Sequence, residues 1–308
     1  MASIHEMREH IQSIRSIGQM TRALQAVSAS RVKQAVTLAN NSQRYSEISY
    51  DVFCELMSCE EASEFEKNYY EPRMEIKNAL VVFISADRGL AGSFTMNIFR
   101  EIVSLEKDLA GCGISYITVG KKGRDMLLRR KKKVIADFSD MDATNIRDQQ
   151  LHAMRNIILE EYANGRVDSV YLVYTNYESA TLYTPTVQLL LPLAPAAELY
   201  RINQGRTKNI DKYIFEGNPR EMLDKMTRRV IERILYHAIL ASHASEHSAR
   251  MIAMSNATSN AESLVSELQL EYNKIRQQTI TNDILDVIGG AEALQKRSDD
   301  LMSRKVTL

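Results

Sequence analysis

Asn218-Pro219-Arg220-Glu221 opens a run that holds no further glycine or proline until Gly289-Gly290. Asn218 can cap a helix, Pro219 suits its first position, and Glu221 stands where a capping box places its acid. A helix from Pro219 to Ile288 would be roughly 100 Å long at about 1.5 Å per residue. Its apolar stripe runs through Met251, Met254, Ala257, Ala261, Leu264, Leu268, Tyr272 and Ile275, and Ala241, Ala244 and Ala249 would admit a close neighbour. No compact domain buries such a rod along its whole length. It needs a second long helix.

The other end of the chain supplies one. Ile4, Met7, Ile11, Ile14, Ile17, Met20, Leu24 and Val27 follow one another at three- and four-residue gaps, one helix face at near-heptad period. Tyr45, Ile48, Val52 and Leu56 resume the stripe after a more polar stretch from Ser28 to Asn41. The two arms, residues 1–70 and 218–304, are therefore expected to pair as a long antiparallel coiled coil.

Between them the composition changes. All five prolines lie between Pro72 and Pro219, and nine of the twelve glycines between Gly89 and Gly217. Ala79-Leu80-Val81-Val82-Phe83-Ile84 reads as a strand buried on both faces. Phe94–Leu109 reads as a helix, Ile114–Val119 and Val134–Phe138 as strands, Ile146–Tyr162 as a helix and Val167–Tyr174 as a strand. Leu182–Leu191 reads as an added edge strand, since Pro185 cannot donate to a ladder. This alternation predicts a Rossmann-like α/β domain over residues 75–215, so the fold class is α/β with helical arms.

Composition excludes several functions. Lysine plus arginine and aspartate plus glutamate both number 39, a balance that argues against bulk nucleic-acid binding. Aromatics are 7% with no tryptophan, and methionine reaches 14, which suits long helices. Cys54, Cys59 and Cys112 form an odd set without a secretory leader, pointing to reduced thiols. No apolar run approaches the roughly 20 residues of a membrane span.

Three short patterns invite chemistry. His243-Ala244-Ser245-Glu246-His247 has the H-x-x-E-H spacing of a zinc site, yet it lacks an evident third ligand, and the ordinary reading is solvated histidines on a helix. Ser85-Ala86-Asp87-Arg88-Gly89-Leu90-Ala91-Gly92 follows the first strand but has neither G-x-G-x-x-G nor a phosphate-loop lysine, so it reads as a tight turn and no cofactor is expected. Gly120-Lys121-Lys122-Gly123-Arg124 and Arg129-Arg130-Lys131-Lys132-Lys133 read as solvated basic loops. No activated nucleophile or carboxylate pair emerges.

The remaining motifs resemble one family. Met20-Thr21-Arg22-Ala23-Leu24-Gln25-Ala26-Val27-Ser28-Ala29-Ser30-Arg31-Val32-Lys33 resembles the N-terminal helix motif of ATP synthase gamma subunits. The loop from Ser85 to Gly92 resembles that family's S-S-D-R-G-L-C-G, with Ala91 in place of the cysteine. Ser245 to Met254, and Glu267 to Gln277 continuing to Gly290, resemble its C-terminal helix in order and spacing.

The resemblance implies a non-catalytic central rotor stalk. Its partners would be the alpha and beta subunits, the epsilon subunit and the membrane ring of c subunits, and its place the cytoplasmic face of a bacterial membrane. It further implies that Arg250, Gln277 and Thr281, expected to lie along one polar edge, meet the beta-subunit loops, with Arg31 and Lys33 facing an acidic beta-subunit lever. Tyr213 is implied in contact with the c-ring. The competing reading is a soluble α/β enzyme with helical oligomerisation arms.

Overall fold

The computed structural model describes residues 4–58, 67–70, 73, 75–139, 141, 146, 148–193 and 218–306. In chain order the elements are α1 (Ile4–Ser58), α2 (Lys67–Tyr70), β1 (Asn78–Ile84), α3 (Phe94–Asp108), β2 (Gly113–Val119), α4 (Lys121–Arg129), β3 (Lys133–Asp137), α5 (Asp148–Ala163), β4 (Ser169–Tyr177), β5 (Tyr183–Leu191) and α6 (Pro219–Val306). The chain forms two compact units, Met1–Leu24 with Met254–Leu308, and Gln25–Ala253. These limits differ from the segment boundaries read from glycine and proline, because each long helix runs through both units.

In the larger unit the sheet order is β3-β2-β1-β4-β5. β1, β2, β3 and β4 are parallel, and β5 closes the edge antiparallel to β4. β1 is buried at every residue after Asn78. Strand alternation divides its side chains between two layers. Ala79, Val81 and Phe83 pack with Ile98, Phe99 and Ile102 of α3 and Leu127 of α4. Leu80, Val82 and Ile84 face Met154, Ile158 and Tyr162 of α5 and Ile231, Leu235 and Ile239 of α6. The first turns of α6 are thus core, not part of a free rod.

α4 is a correction to the sequence reading, which made its first residues a loop. Gly123 hid the helix, since glycine in a helix interior is unfavourable by about 1 kcal/mol. Its backbone lies so close to β1 that a Cβ there would be 2.4 Å from Ser85 Oγ and 2.5 Å from the Phe83 ring. Close approach, not propensity, selects the glycine.

A polar knot secures the other end of the sheet. Asp168 accepts the backbone N–H groups of Lys77 and Asn78, each at 2.9 Å, and Arg73 Nη1 at 2.9 Å. Burial alone would push this carboxyl up, but these donors outweigh it and hold it below the ordinary range. A lowered folded value stabilises the protein above the unfolded value, and that stability is lost as pH falls through the folded one. Asp168→Asn should therefore cost about 1–3 kcal/mol at neutral pH. In denaturant titrations the deficit should narrow below about pH 4.

In the smaller unit the two helices run antiparallel. Arg15 Nη2 donates to Gln269 at 3.4 Å, Thr21 Oγ1 lies 2.7 Å from Thr258 Oγ1, and Arg22 pairs with Glu262. A Cβ on Gly18 would stand 3.5 Å from that of Ala261.

The seam itself corrects the expected stripes. Along α1 the inward positions are Met7, Ile11, Ile14, Gly18 and Thr21 in this unit, and within the larger unit the same spacing of buried and half-buried residues runs through Gln25, Ser28, Val32 and Ala35. Along α6 they are Met254, Thr258, Ala261, Val265, Leu268, Tyr272, Ile275 and Thr279. Both series alternate gaps of four and three without drift, a true heptad. Ile17, Met20, Val27 and Leu264, all counted in the expected stripes, are exposed. Small and hydroxyl-bearing residues took their places because they admit a close neighbour and satisfy each other.

Candidate functional site

Two kinds of feature stand out along the long helices: a buried charge cluster in the larger unit and uncovered side chains in the smaller. The cluster forms where the loop after β1 meets residues 243–250 of α6. Leu90 and Gly92 adopt positive φ, 64° and 57°, and this folds the loop so that its carbonyls face α6. Arg250 Nε donates to Gly89 O and Nη2 to Arg88 O, each at 3.2 Å. Nη2 also reaches Glu246 Oε1 at 2.5 Å, and Nη1 donates to His247 Nδ1 at 3.1 Å. A guanidinium can only donate, so Nδ1 of His247 is the acceptor and its ring is engaged as a neutral base.

Glu246 is 4% exposed and also receives the backbone N–H of Asp87. Burial raises its carboxyl more than Arg250 lowers it. Asp87, which accepts Lys121 N–H at 3.1 Å, is likewise raised, by burial first and then by the charge of Glu246. His243 is buried, its Nδ1 3.9 Å from Glu246 Oε2 and its ring stacked on His247 at 6.5 Å. The expectation of solvated histidines is thus overturned: the loop after β1 covers this face. With a guanidinium against His247 and Glu246, the H-x-x-E-H spacing serves a structural charge network. Among the described residues no group of three or more potential ligands is placed to hold a metal ion.

Arg250 is also corrected in its setting. It is 7% exposed and committed to groups of its own chain. Twenty-seven residues separate it from Gln277, seven and a half turns at about 100° per residue, so in a regular helix the two point to opposite sides. That spacing does not give the single polar edge.

Gln277 and Thr281 are exposed on α6. The Thr281 hydroxyl donates to Gln277 O at 2.9 Å, leaving its oxygen lone pairs and the whole Gln277 amide outward. Lys33 is exposed and Arg31 half-buried on α1. Tyr213 lies outside the described residues.

The sequence reading missed an apolar surface. Ile280, Ile284, Leu285, Val287 and Ile288 are each at least half exposed on α6. On an amphipathic helix such residues read as core until the partner helix is placed. Here the register set by Thr21 with Thr258 and Gly18 with Ala261 brings Ile4, the first described residue of α1, opposite about Ile275, so these residues lie beyond it. Uncovered leucines and isoleucines in this number mark a surface for another chain. Among the described residues no helix is long and apolar enough to cross a membrane.

Comparison with known proteins gives the same frame over nearly the full length. Residues 3–294 match the family model described as ATP synthase. The ATP synthase gamma chain of Dehalococcoides mccartyi (strain ATCC BAA-2266 / KCTC 15142 / 195) is 35% identical over 297 residues, covering 96% of this chain and 100% of the relative. That of Polynucleobacter asymbioticus is 33% identical over 296 residues, with the same coverage. Among solved structures, a chain of the Euglena gracilis mitochondrial ATP synthase OSCP/F1/c-ring has a TM-score of 0.64 at 17% identity, covering 94% of each chain. One from the Tetrahymena thermophila mitochondrial ATP synthase central stalk and c-ring has a TM-score of 0.55 at 23% identity, covering 77% of this chain and 99% of that one. Both share the fold.

Proposed function

This chain belongs to the ATP synthase gamma-chain family, and from that premise we propose that it is the central rotor stalk of an F-type ATP synthase. It carries torque and performs no catalysis. Its antiparallel helix pair turns inside the alpha and beta subunits, and its sheet domain joins the epsilon subunit and the c-ring. Ion-driven rotation of that ring is thereby coupled to the nucleotide sites of its partners. The assembly lies on the cytoplasmic face of a bacterial membrane.

The observation that carries this reading is the division of the helix surface. The seam is narrow and partly polar, while Ile17, Met20 and the 280–288 cluster stand outside it. A helix pair that existed for its own sake would bury its largest apolar residues; one that turns within a sleeve presents them outward. In this reading Gln277 and Thr281 form the polar catch with the beta-subunit loops, Arg31 and Lys33 meet the acidic lever, and Tyr213 rests on the c-ring. Arg250 keeps the loop after β1 in place.

Reconstitution tests the proposal. The chain assembled with alpha and beta subunits should restore steady-state ATP hydrolysis. Gln277→Leu and Thr281→Val should each lower it about 5- to 10-fold, the equivalent of one directional hydrogen bond, with assembly unchanged. Normal rates in both variants would remove the catch. Failure of the wild-type chain to assemble would remove the stalk reading.

A further inference from the structure

The turn that ends α4 carries five consecutive cations, Arg129-Arg130-Lys131-Lys132-Lys133. Lys131 N–H donates to Leu128 O at 2.9 Å and Lys132 N–H to Leu127 O at 3.1 Å, the two bonds of a Schellman stop. The residue forced into the left-handed region is Lys131, at φ 56°. Glycine ordinarily holds that place, because a Cβ strains it. Lys131 keeps its side chain against the local preference.

Two of the cations turn back onto the domain. Lys132 pairs with Glu106 at 2.9 Å, and the Arg130 guanidinium lies 4.5 Å from the Phe99 ring centroid. Arg129, Lys131 and Lys133 are exposed, and beside them Leu128 is 54% exposed. A helix C-terminus favours positive charge, which accounts for a cation in the last turn. It does not account for a lysine at the left-handed position or for a leucine left uncovered among cations.

We propose that this turn is a contact site for an anionic lipid surface. Leu128 enters the acyl boundary while Arg129, Lys131 and Lys133 meet lipid phosphates. A single phosphate ligand requires donors converging on one point, whereas successive residues round the outside of a turn diverge. Many anions spread over a plane suit that arrangement, and an apolar residue among the cations is the second signal that interfacial binding uses. The inference stands on this geometry and not on the stalk reading, since vesicle binding and coupled hydrolysis are measured separately.

Co-sedimentation of the full chain with vesicles tests it. The chain should partition onto phosphatidylcholine vesicles containing phosphatidylglycerol, not onto phosphatidylcholine alone, and added salt should release it. Arg129→Gln and Lys133→Gln should each weaken partitioning about fivefold. Lys131→Gly should weaken it equally while raising the thermal midpoint by about 2 °C, opposite signs that a merely structural lysine would not produce. Leu128→Ser should reduce partitioning at an unchanged midpoint. No partitioning onto the anionic vesicles overturns the proposal. So does partitioning that these variants leave intact, including the case where they lose a protein partner instead.

Discussion

Arg250→Ala should lower the stability of the chain by about 3–5 kcal/mol, because it leaves a buried carboxylate without its cation. Glu246, 4% exposed in the wild-type chain, would lose its cation with Asp87 beside it, and the carbonyls of Arg88 and Gly89 would lose their donor. An exposed arginine at this position would have been almost neutral to replace. The sign with pH follows from the direction of the shifts. Glu246 and Asp87 are both raised, so their ionisation works against the fold, and the stability associated with their neutral forms is lost as pH rises through the folded values. Removing Arg250 pushes Glu246 higher still. The deficit of Arg250→Ala should therefore grow as pH rises and shrink as pH falls. The double variant Glu246→Ala/Arg250→Ala should recover part of the loss. Equal melts of wild type and Arg250→Ala at pH 8 would show that the cluster holds nothing together.

Gly120→Ala should cost about 3 kcal/mol or more, combining backbone strain with a clash that has no exit. Gly120 sits at φ 100° and ψ 131°, a region closed to residues with a Cβ. A Cβ there would lie 2.3 Å from Ser85 O and 2.7 Å from Ser85 Oγ. Ser85 cannot move aside. Its N–H donates to Val119 O at 2.7 Å, and its hydroxyl accepts Gly123 N–H at 2.9 Å while lying 3.2 Å from the carbonyls of Val119 and Gly120. The substitution would pry β1 from the β2–α4 turn and disturb the start of the loop that faces Arg250. Denaturant titration with intrinsic tyrosine fluorescence reads the loss; a midpoint within error of wild type would contradict it.

What the sequence disclosed, and what it withheld, has a common physical cause. β1 was legible because a parallel strand buried on both faces is written as an unbroken apolar run, Ala79 to Ile84. The edge strand was legible through Pro185, which β5 places opposite Thr175. α4 was not, because Gly123 answers to the approach of Phe83 and Ser85, a tertiary fact with no local trace. The seam failed for a related reason. Thr21 and Thr258 look like surface residues until they are seen 2.7 Å apart, and Ile17 and Met20 look like core until the helix beside them turns the other way. Arg250 was read as exposed because helix pattern alone cannot reveal that the carbonyls of a loop some 160 residues earlier accept its hydrogen bonds (161 and 162 positions separate the bonded pairs). Side chains whose surroundings come from their own helix were readable, and those whose surroundings come from elsewhere were not.

Helices that bury alternating fourth and third residues without drift must wind round each other left-handedly, since an untwisted helix drifts by about 20° per heptad. The pair is a rope with a hand. Its hand is carried by small groups: the Ala261 side chain stands 3.5 Å from where a Cβ on Gly18 would be, and the hydroxyls of Thr21 and Thr258 meet at 2.7 Å. A residue larger than alanine at Gly18 would have to be accommodated by a change in the winding as well as in the spacing of the two helices.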